Sequence, residues 1–180
     1  MEHFGLKVRN TQQVVQRWRE AGLTVEAEFT GAEGFPNAYL LFPDNLRLEI
    51  QQDESLDIIA KRHHLHYFLT ADYLPLRQWY ADTFGAVLSK RGRIDTVDVL
   101  DMNFSFTTPR VPSELVGSKG RVIDHIAFEV RGLEAFCKRL EAMGVKFDVP
   151  YGTSSELDVP SAVLTDPSGV VIELTEGLTL

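Results

Sequence analysis

Histidine and glutamate recur in this sequence at positions that could bind a metal ion. Histidine stands at the start of three similar segments, at His3, His64 and His125, and two of these segments end in a strand-like stretch with a glutamate, Glu49 or Glu173. Imidazole and carboxylate bind manganese, iron, nickel, cobalt and zinc, and two histidines with one carboxylate leave coordination positions open. These residue types therefore indicate a divalent ion that acts as a Lewis acid on a small molecule.

The three histidines belong to an internal repeat. Residues 2–8 and 124–130 are similar, and the similarity continues at constant offset to Gly22 and Gly144. A weaker middle copy begins at His64. Self-similarity of this kind indicates repeated supersecondary units, so the sequence predicts three modules of about 50 to 60 residues each.

Each module is predicted to fold as a βαβββ unit. In the opening strand of the last module, Ile126, Phe128 and Val130 share one face and His125 lies on the other. An amphipathic helix follows in each module, a glycine ends it, and the last strand alternates again. One face of each sheet should therefore pack on a helix, while the other face carries the histidines and glutamates.

The middle module adds two further histidines. His66 lies two residues after His64, on the same face of the strand, and is the candidate catalytic residue as a proton shuttle. The other roles open to it are a hydrogen-bonding partner of the ligands and an alternative ligand. His63 should point to the opposite face, although a shift of one residue in register would exchange these roles.

Composition limits the partners and the compartment. The formal net charge of −8 argues against nucleic acid, which calls for a basic face. No apolar run approaches the roughly 20 residues of a spanning helix, so we expect no membrane partner. Cys137 is the only cysteine, which excludes a disulfide scaffold and suits the cytoplasm. Lys90, Arg91 and Arg93 follow the middle helix, either as a solvated loop or as a clamp for an anionic substrate.

The chain resembles the vicinal-oxygen-chelate superfamily, which includes glyoxalase I, extradiol dioxygenases, fosfomycin-resistance enzymes and bleomycin-binding proteins. Residues 124–130, the helix that ends at Gly144 and residues 165–174 carry the resemblance, with 64–66 and 79–85 in the middle module. The resemblance implies an α+β fold in which two βαβββ modules pair, and their mixed sheet curls into a cup with helices outside. It also implies one divalent ion per cup (Fe, Mn, Ni, Co or Zn) and a small-molecule substrate.

The resemblance also assigns ligands position by position. With modules two and three paired, the metal ligands are His64, His125 and Glu173. The fourth position, which corresponds to Glu173 in the middle module, is Ser105. A carboxylate usually stands there in glyoxalase I, so Ser105 counts against that enzyme's four-ligand chemistry.

Three modules are an awkward number for a fold that closes in pairs, and two pairings are open. The preferred pairing gives two domains, a single module at 1–55 without an in-chain partner and a paired-module domain at 62–180, built from modules 62–108 and 121–178. Module one would then expose a strand edge, through which we expect a homodimer with a candidate second metal site at His3 and Glu49. In the alternative, modules one and two pair, and His3, Glu49 and His64 form the site.

Two kinds of function follow from this resemblance. The first is a metal-dependent enzyme acting on a small oxygenated molecule, either as a glyoxalase-like lyase or isomerase or as an extradiol-type ring-cleaving dioxygenase. The second is a non-catalytic protein that binds a small molecule, as bleomycin-binding relatives do. Those relatives generally lack the metal residues, so the histidines and glutamates of this chain favour the enzyme.

Overall fold

The computed structural model describes residues 1–69, 72–109, 114–156 and 158–178. Within them, three helices and twelve strands follow the order of a βαβββ unit repeated three times. The predicted α+β class and the repeat are thereby confirmed. None of the helices in these ranges has the length and apolar character needed to span a membrane.

Module one packs its helix on one face of its sheet. The helix α1 begins after Asn10, whose side chain accepts a hydrogen bond from the backbone N–H of Gln13 at 2.9 Å. Val15 on its inner face shares one apolar core with Leu40 and Ile50 of the sheet. The elements of the module are β1 (His3–Val8), α1 (Thr11–Glu20), β2 (Thr24–Thr30), β3 (Pro36–Leu41) and β4 (Arg47–Gln52).

Module two repeats this plan with an aromatic core. Its elements are β5 (Ala60–Phe68), α2 (Leu74–Phe84), β6 (Val87–Arg91), β7 (Ile94–Val99) and β8 (Met102–Thr107). The helix α2 ends at Gly85, whose φ of 68° is the left-handed conformation that glycine adopts readily. Tyr67, Tyr80 and Phe104 are buried between helix and sheet, and the two tyrosine hydroxyls lie 3.1 Å apart.

Modules one and two join into one eight-stranded sheet, in the order β2-β3-β4-β1-β5-β8-β7-β6. The strand β1 pairs parallel with β4 and antiparallel with β5, and β5 pairs parallel with β8. Both edges of β1 and of β5 are therefore occupied. This strand order differs from the preferred pairing of modules two and three. It matches the alternative, in which modules one and two pair. It also removes the exposed edge of β1 on which the predicted dimer through module one depended.

Module three forms its own four-stranded sheet, in the order β10-β11-β12-β9, with β9 at one edge. Its elements are β9 (His125–Glu129), α3 (Leu133–Ala142), β10 (Phe147–Thr153), β11 (Pro160–Thr165) and β12 (Val171–Thr175). The chain accordingly divides into compact units at Met1–Leu115 and Val116–Leu180, which differ from the predicted domains 1–55 and 62–180. The connection from β4 to β5 is short, so closing module two on module one costs little chain entropy.

Candidate metal centre

The face of the eight-stranded sheet that lies opposite the helices carries a buried polar group. It consists of His3 on β1, Glu49 on β4, and His64 and His66 on β5, none of them more than 7% exposed. One ligand atom from each of the four lies within 4.8 Å of the others. Burying so many polar atoms is costly unless each finds a partner, so the arrangement calls for a functional explanation.

The register of the three central strands brings these side chains together. Gly5 pairs with Glu49 on one side and with His64 on the other, and His3 pairs with His66. Residues two apart on a strand share a face, so His3 and Gly5 both lie on the polar face of β1. The predicted alternation of His64 and His66 on one face of β5 agrees with this arrangement.

Glycine at position 5 leaves room for the His64 ring. A Cβ built on Gly5 would lie 2.1 Å from Cε1 and 2.2 Å from Nδ1 of His64, far inside van der Waals contact. The imidazole therefore lies directly over the backbone of β1. Sequence reasoning missed this residue, although the repeat offered a signal: Ala127 occupies the same position in β9, where Glu173 pairs with it as Glu49 pairs with Gly5.

A β-bulge in β5 changes the position expected for His63. The register shifts after Gly5, and His63 is the extra residue beside His64. The Nδ1 atoms of His63 and His64 lie 3.2 Å apart, and Nε2 of His63 lies 3.5 Å from a carboxylate oxygen of Glu33. The prediction that His63 points away from His64 is wrong, because one inserted residue interrupts the alternation on which it was based.

Three candidate ligand atoms face one another at short range. Nε2 of His3 donates to Oε2 of Glu49 at 2.9 Å and lies 3.2 Å from Nε2 of His64. Nε2 of His64 lies 3.4 Å from the same carboxylate oxygen. On the far side of its ring, Nδ1 of His3 pairs with the carboxylate of Glu2.

Burial and hydrogen bonding set the charges in this group. Burial lowers the pKa of His64 to about 3 and the pKa of His66 well below its ordinary value. Burial also lowers the pKa of His3, but hydrogen bonds with Glu2 and Glu49 outweigh it, and the net shift is upward. Burial raises the pKa of Glu49, but hydrogen bonds from His3 and His64 outweigh it and hold the pKa far below its usual range. Ionised Glu49 and neutral His64 and His66 are in the protonation states that metal ligation needs, whereas His3 would give up its Nε2 proton to an ion.

The donor set fits a divalent ion. Nε2 of His66 lies 2.8 Å from the hydroxyl of Thr107, while its buried Nδ1 has no hydrogen-bond partner among the residues that the structure describes. When Nε2–H donates to Thr107, the lone pair of Nδ1 is left free. A free buried nitrogen beside a carboxylate and two further imidazoles suits manganese, iron, nickel, cobalt or zinc.

The predicted triad is divided between the two sheets. His64 belongs to the eight-stranded sheet, whereas His125 and Glu173 belong to the four-stranded sheet of module three. Nε2 of His125 lies 3.4 Å from Oε2 of Glu173, so module three repeats the pair made by His3 and Glu49. The sheet that holds His64 instead supplies His3 and Glu49, the residues predicted as a second site.

Ser105 stands at the fourth ligand position of the resemblance, and Arg91 is hydrogen-bonded to it. Ser105 on β8 pairs with His66 and takes the place that Glu49 has in module one. Its Oγ accepts a hydrogen bond from Nε of Arg91 at 3.2 Å and donates to Oδ1 of Asn103 at 2.8 Å. Arg91 ends β6 and is buried, so the solvated loop proposed as one reading of the basic segment does not describe this residue.

The sequence as a whole matches one family model. The Glyoxalase/Bleomycin resistance protein/Dioxygenase superfamily model matches residues 1–174, a range that includes all three modules. The chain belongs to this superfamily. No curated protein matches this superfamily member.

Solved structures of the superfamily share its fold at low sequence identity. A glyoxalase I mutant from Zea mays is 16% identical, with a TM-score of 0.73, over 97% of this chain and 66% of its own. A candidate dioxygenase from Bacillus subtilis is 12% identical, with a TM-score of 0.72, over 99% of this chain and 62% of its own. The fosfomycin resistance protein FosX from Listeria monocytogenes is 17% identical, with a TM-score of 0.53, over 68% of this chain and 97% of its own. This chain thus spans just under two thirds of the first two.

Proposed function

We propose that this superfamily member binds one divalent metal ion through His3, Glu49 and His64, with His66 beside them as the proton-transfer residue, and acts on a small oxygenated molecule. The convergence of four buried ligand atoms within 4.8 Å carries the proposal. Membership of the superfamily supports it. When bound, the ion supplies a Lewis acid with coordination positions open to substrate oxygens.

Neighbouring side chains hold the ligands in place. Asn37 donates to Oε1 of Glu49 at 2.5 Å and so orients this carboxylate. His63 contacts the Nδ1 side of His64 and leaves Nε2 directed at Glu49. Partners of this kind fix the tautomer and ring orientation of ligating histidines. Sequence reasoning missed Asn37, because its strand carries no histidine or glutamate.

We assign proton transfer to His66, the predicted catalytic residue. One of its ring nitrogens lies within 4.8 Å of the candidate ligand atoms, Nε2 lies 2.8 Å from the hydroxyl of Thr107, and Nδ1 has no hydrogen-bond partner among the described residues. A substrate bound at the ion would therefore meet a nitrogen that can take or return a proton. A lyase or isomerase that moves a proton beside a carbonyl, or a ring-cleaving dioxygenase, would use such a group.

Metal content tests the site. We expect one equivalent of metal per chain in protein purified without chelator, and a sharp loss in His3→Ala. His125→Ala is the matched control, because His125 is the equivalent residue of module three, and we expect it to keep the metal. The opposite result, with loss in His125→Ala and retention in His3→Ala, would restore the triad of His64, His125 and Glu173.

Water relaxation tests whether a bound ion keeps coordination positions open for a substrate. An ion with open positions carries exchangeable water, so manganese-loaded protein should strongly enhance the relaxation of water protons. His64→Ala, which removes a ligand, should release the ion and return the relaxation to that of free manganese. Loaded protein without exchangeable water would contradict an enzyme whose substrate binds the ion.

A further inference from the structure

A buried arginine adjoins the candidate metal centre. Arg91 is 5% exposed, and its Nε donates to Ser105 at 3.2 Å. Nη1 lies 3.7 Å from Oε1 of Glu49 and 3.8 Å from Oε2 of Glu33, too far for a hydrogen bond to either. Nη1 of Arg91 has no hydrogen-bond partner in the described part of the chain. One side of the guanidinium is thus anchored by a hydrogen bond, while Nη1 on the other side has two carboxylates at ion-pair distance but donates no hydrogen bond to either.

The two halves of the eight-stranded sheet differ in charge at equivalent positions. Module one places the carboxylate of Glu49 there, and module two places Ser105 with the guanidinium of Arg91 against it. A divalent ion would therefore have one carboxylate ligand and a cationic neighbour, which leaves the buried centre positively charged. Glu33, which is 26% exposed, and Glu2, whose carboxylate pairs with both His3 and Arg47, offset only part of this charge. With an ion bound, the positive charges would exceed those of the neighbouring carboxylates, and excess buried charge is unfavourable, so the centre favours an anionic ligand.

The wall behind Arg91 shields it from water. Gly92, which follows Arg91, packs on the loop between β2 and β3, and a Cβ built on Gly92 would lie 2.1 Å from the carbonyl oxygen of Ala32. This contact joins the β6–β7 turn to the loop that carries Glu33. Coulombic attraction is much stronger where water is excluded, so an anion would bind the guanidinium here more tightly than at the surface.

We propose that Arg91 binds an oxyanion of the substrate, a carboxylate or a phosphoryl group, next to the metal-binding atoms. The inference rests on the proposed function and deepens it: the substrate is a small anionic molecule. The guanidinium presents paired N–H donors that match the oxygens of such groups. Because Nη1 is 3.7 Å from a candidate ligand oxygen, a group held by Arg91 lies beside the reacting centre.

Phosphate binding to manganese-loaded protein tests the proposal. Inorganic phosphate is the probe, and line broadening of its ³¹P resonance by the bound manganese is the readout. Arg91→Met should keep the metal and weaken phosphate binding by about tenfold or more, as expected for loss of hydrogen bonds from a charged group. Lys90→Met is the matched control: it removes the same charge from the adjacent residue, whose side chain is 70% exposed, and should bind phosphate as the wild type does.

Two results would overturn the proposal. One is wild-type phosphate binding by Arg91→Met. The other is equal weakening by Arg91→Met and Lys90→Met, which would show an effect of net charge and not of a specific contact. Should circular dichroism show Arg91→Met unfolded, Arg91→Lys replaces it. That variant keeps the charge without the planar donors, so binding several-fold weaker than wild type supports the proposal and unchanged binding contradicts it.

Metal binding is measured first, so that failure of the proposed function is recognised separately. If wild-type protein binds no metal, the metal-dependent function fails, and phosphate is titrated into the metal-free protein by calorimetry instead. Binding that Arg91→Met loses and Lys90→Met keeps still supports the oxyanion site. An absence of phosphate binding to the wild type in both forms overturns it.

Discussion

The same histidine–glutamate pair occurs in module one and in module three, in different surroundings. The side chains of His3 and Glu49 are 1% and 5% exposed, whereas those of His125 and Glu173 are 44% and 24% exposed. Within each pair the closest separations are similar, 2.9 and 3.4 Å. The pair by itself therefore does not make the buried centre.

The neighbouring strand accounts for the difference. The strand β1 of module one pairs with β5 of module two, which brings two further histidines. In module three, β9 is the edge strand of its own sheet. Pairing also removes water, which strengthens every electrostatic interaction in the group. The comparison indicates that the histidine–glutamate pair becomes part of a buried candidate metal centre where the first strand of a second module pairs beside it.

The largest expected effect comes from removing the carboxylate of the covered pair. Glu49→Gln keeps the shape of the side chain but removes the one carboxylate charge of the group formed by His3, Glu49, His64 and His66. We expect metal affinity, measured by calorimetry, to fall more than about 100-fold, which is the upper end for residues that only orient a ligand. Glu173→Gln makes the same change in the exposed pair and should leave affinity unchanged. Equal losses in the two variants would contradict the distinction between the modules.

The next largest effect concerns Gly5, whose counterpart in module three is Ala127. Gly5→Ala places a Cβ within 2.2 Å of two atoms of the His64 ring, which must move. We expect the free energy of unfolding to fall by about 1 to 3 kcal/mol, as for other overpacked sites, and the metal to be lost. Chemical denaturation and metal analysis provide the measurements.

Ala127→Gly is the reciprocal control for Gly5. It removes a Cβ from β9, the edge strand of its sheet, so it should cost no more than about 1 kcal/mol through backbone entropy. Retention of full metal binding in Gly5→Ala would show that the His64 ring is not a ligand in the position that the structure gives it.

The sequence predicted the modules well because their signals are local. Alternation in the first strands, helical periodicity and terminal glycines depend on near neighbours, and all three βαβββ units form as expected. The same alternation placed His64 and His66 on one face. Recognition of His3 and Glu49 as a ligand-like pair came from comparing the repeats with one another.

The choice of partner module could not be read from the sequence. The first strands β1, β5 and β9 carry the same alternation, so their edges are nearly equivalent, and the outcome depends on long-range contacts. The bulge at His63 and the ring packed on Gly5 depend in turn on that pairing. The sequence left Arg91 open between a solvated loop and an anion clamp, because a loop of module one that contacts the adjacent Gly92 is distant along the chain.

A smaller effect is expected from the residue that precedes each first-strand histidine. Glu2 pairs with Nδ1 of His3, and Asp124 pairs with Nδ1 of His125 at 2.9 Å. A carboxylate in this position orients a ligating imidazole and raises its basicity. Glu2→Ala should therefore weaken metal binding by about tenfold, and Asp124→Ala should not alter it. A fluorescent chelator in competition with the protein measures both affinities, and a response to Asp124→Ala would reveal a second ion in module three.

The smallest effect on the metal should come from Ser105, which holds the position equivalent to Glu49 and Glu173. A serine hydroxyl is a poor ligand for these ions, and here it is already engaged by Arg91 and Asn103. Ser105→Ala should leave metal stoichiometry and affinity unchanged. It should weaken phosphate binding by about threefold, because Arg91 loses one hydrogen bond that holds its guanidinium in place. Loss of the metal in Ser105→Ala would show that the hydroxyl is itself a metal ligand. Modules one and two would then both contribute a ligand from their last strand.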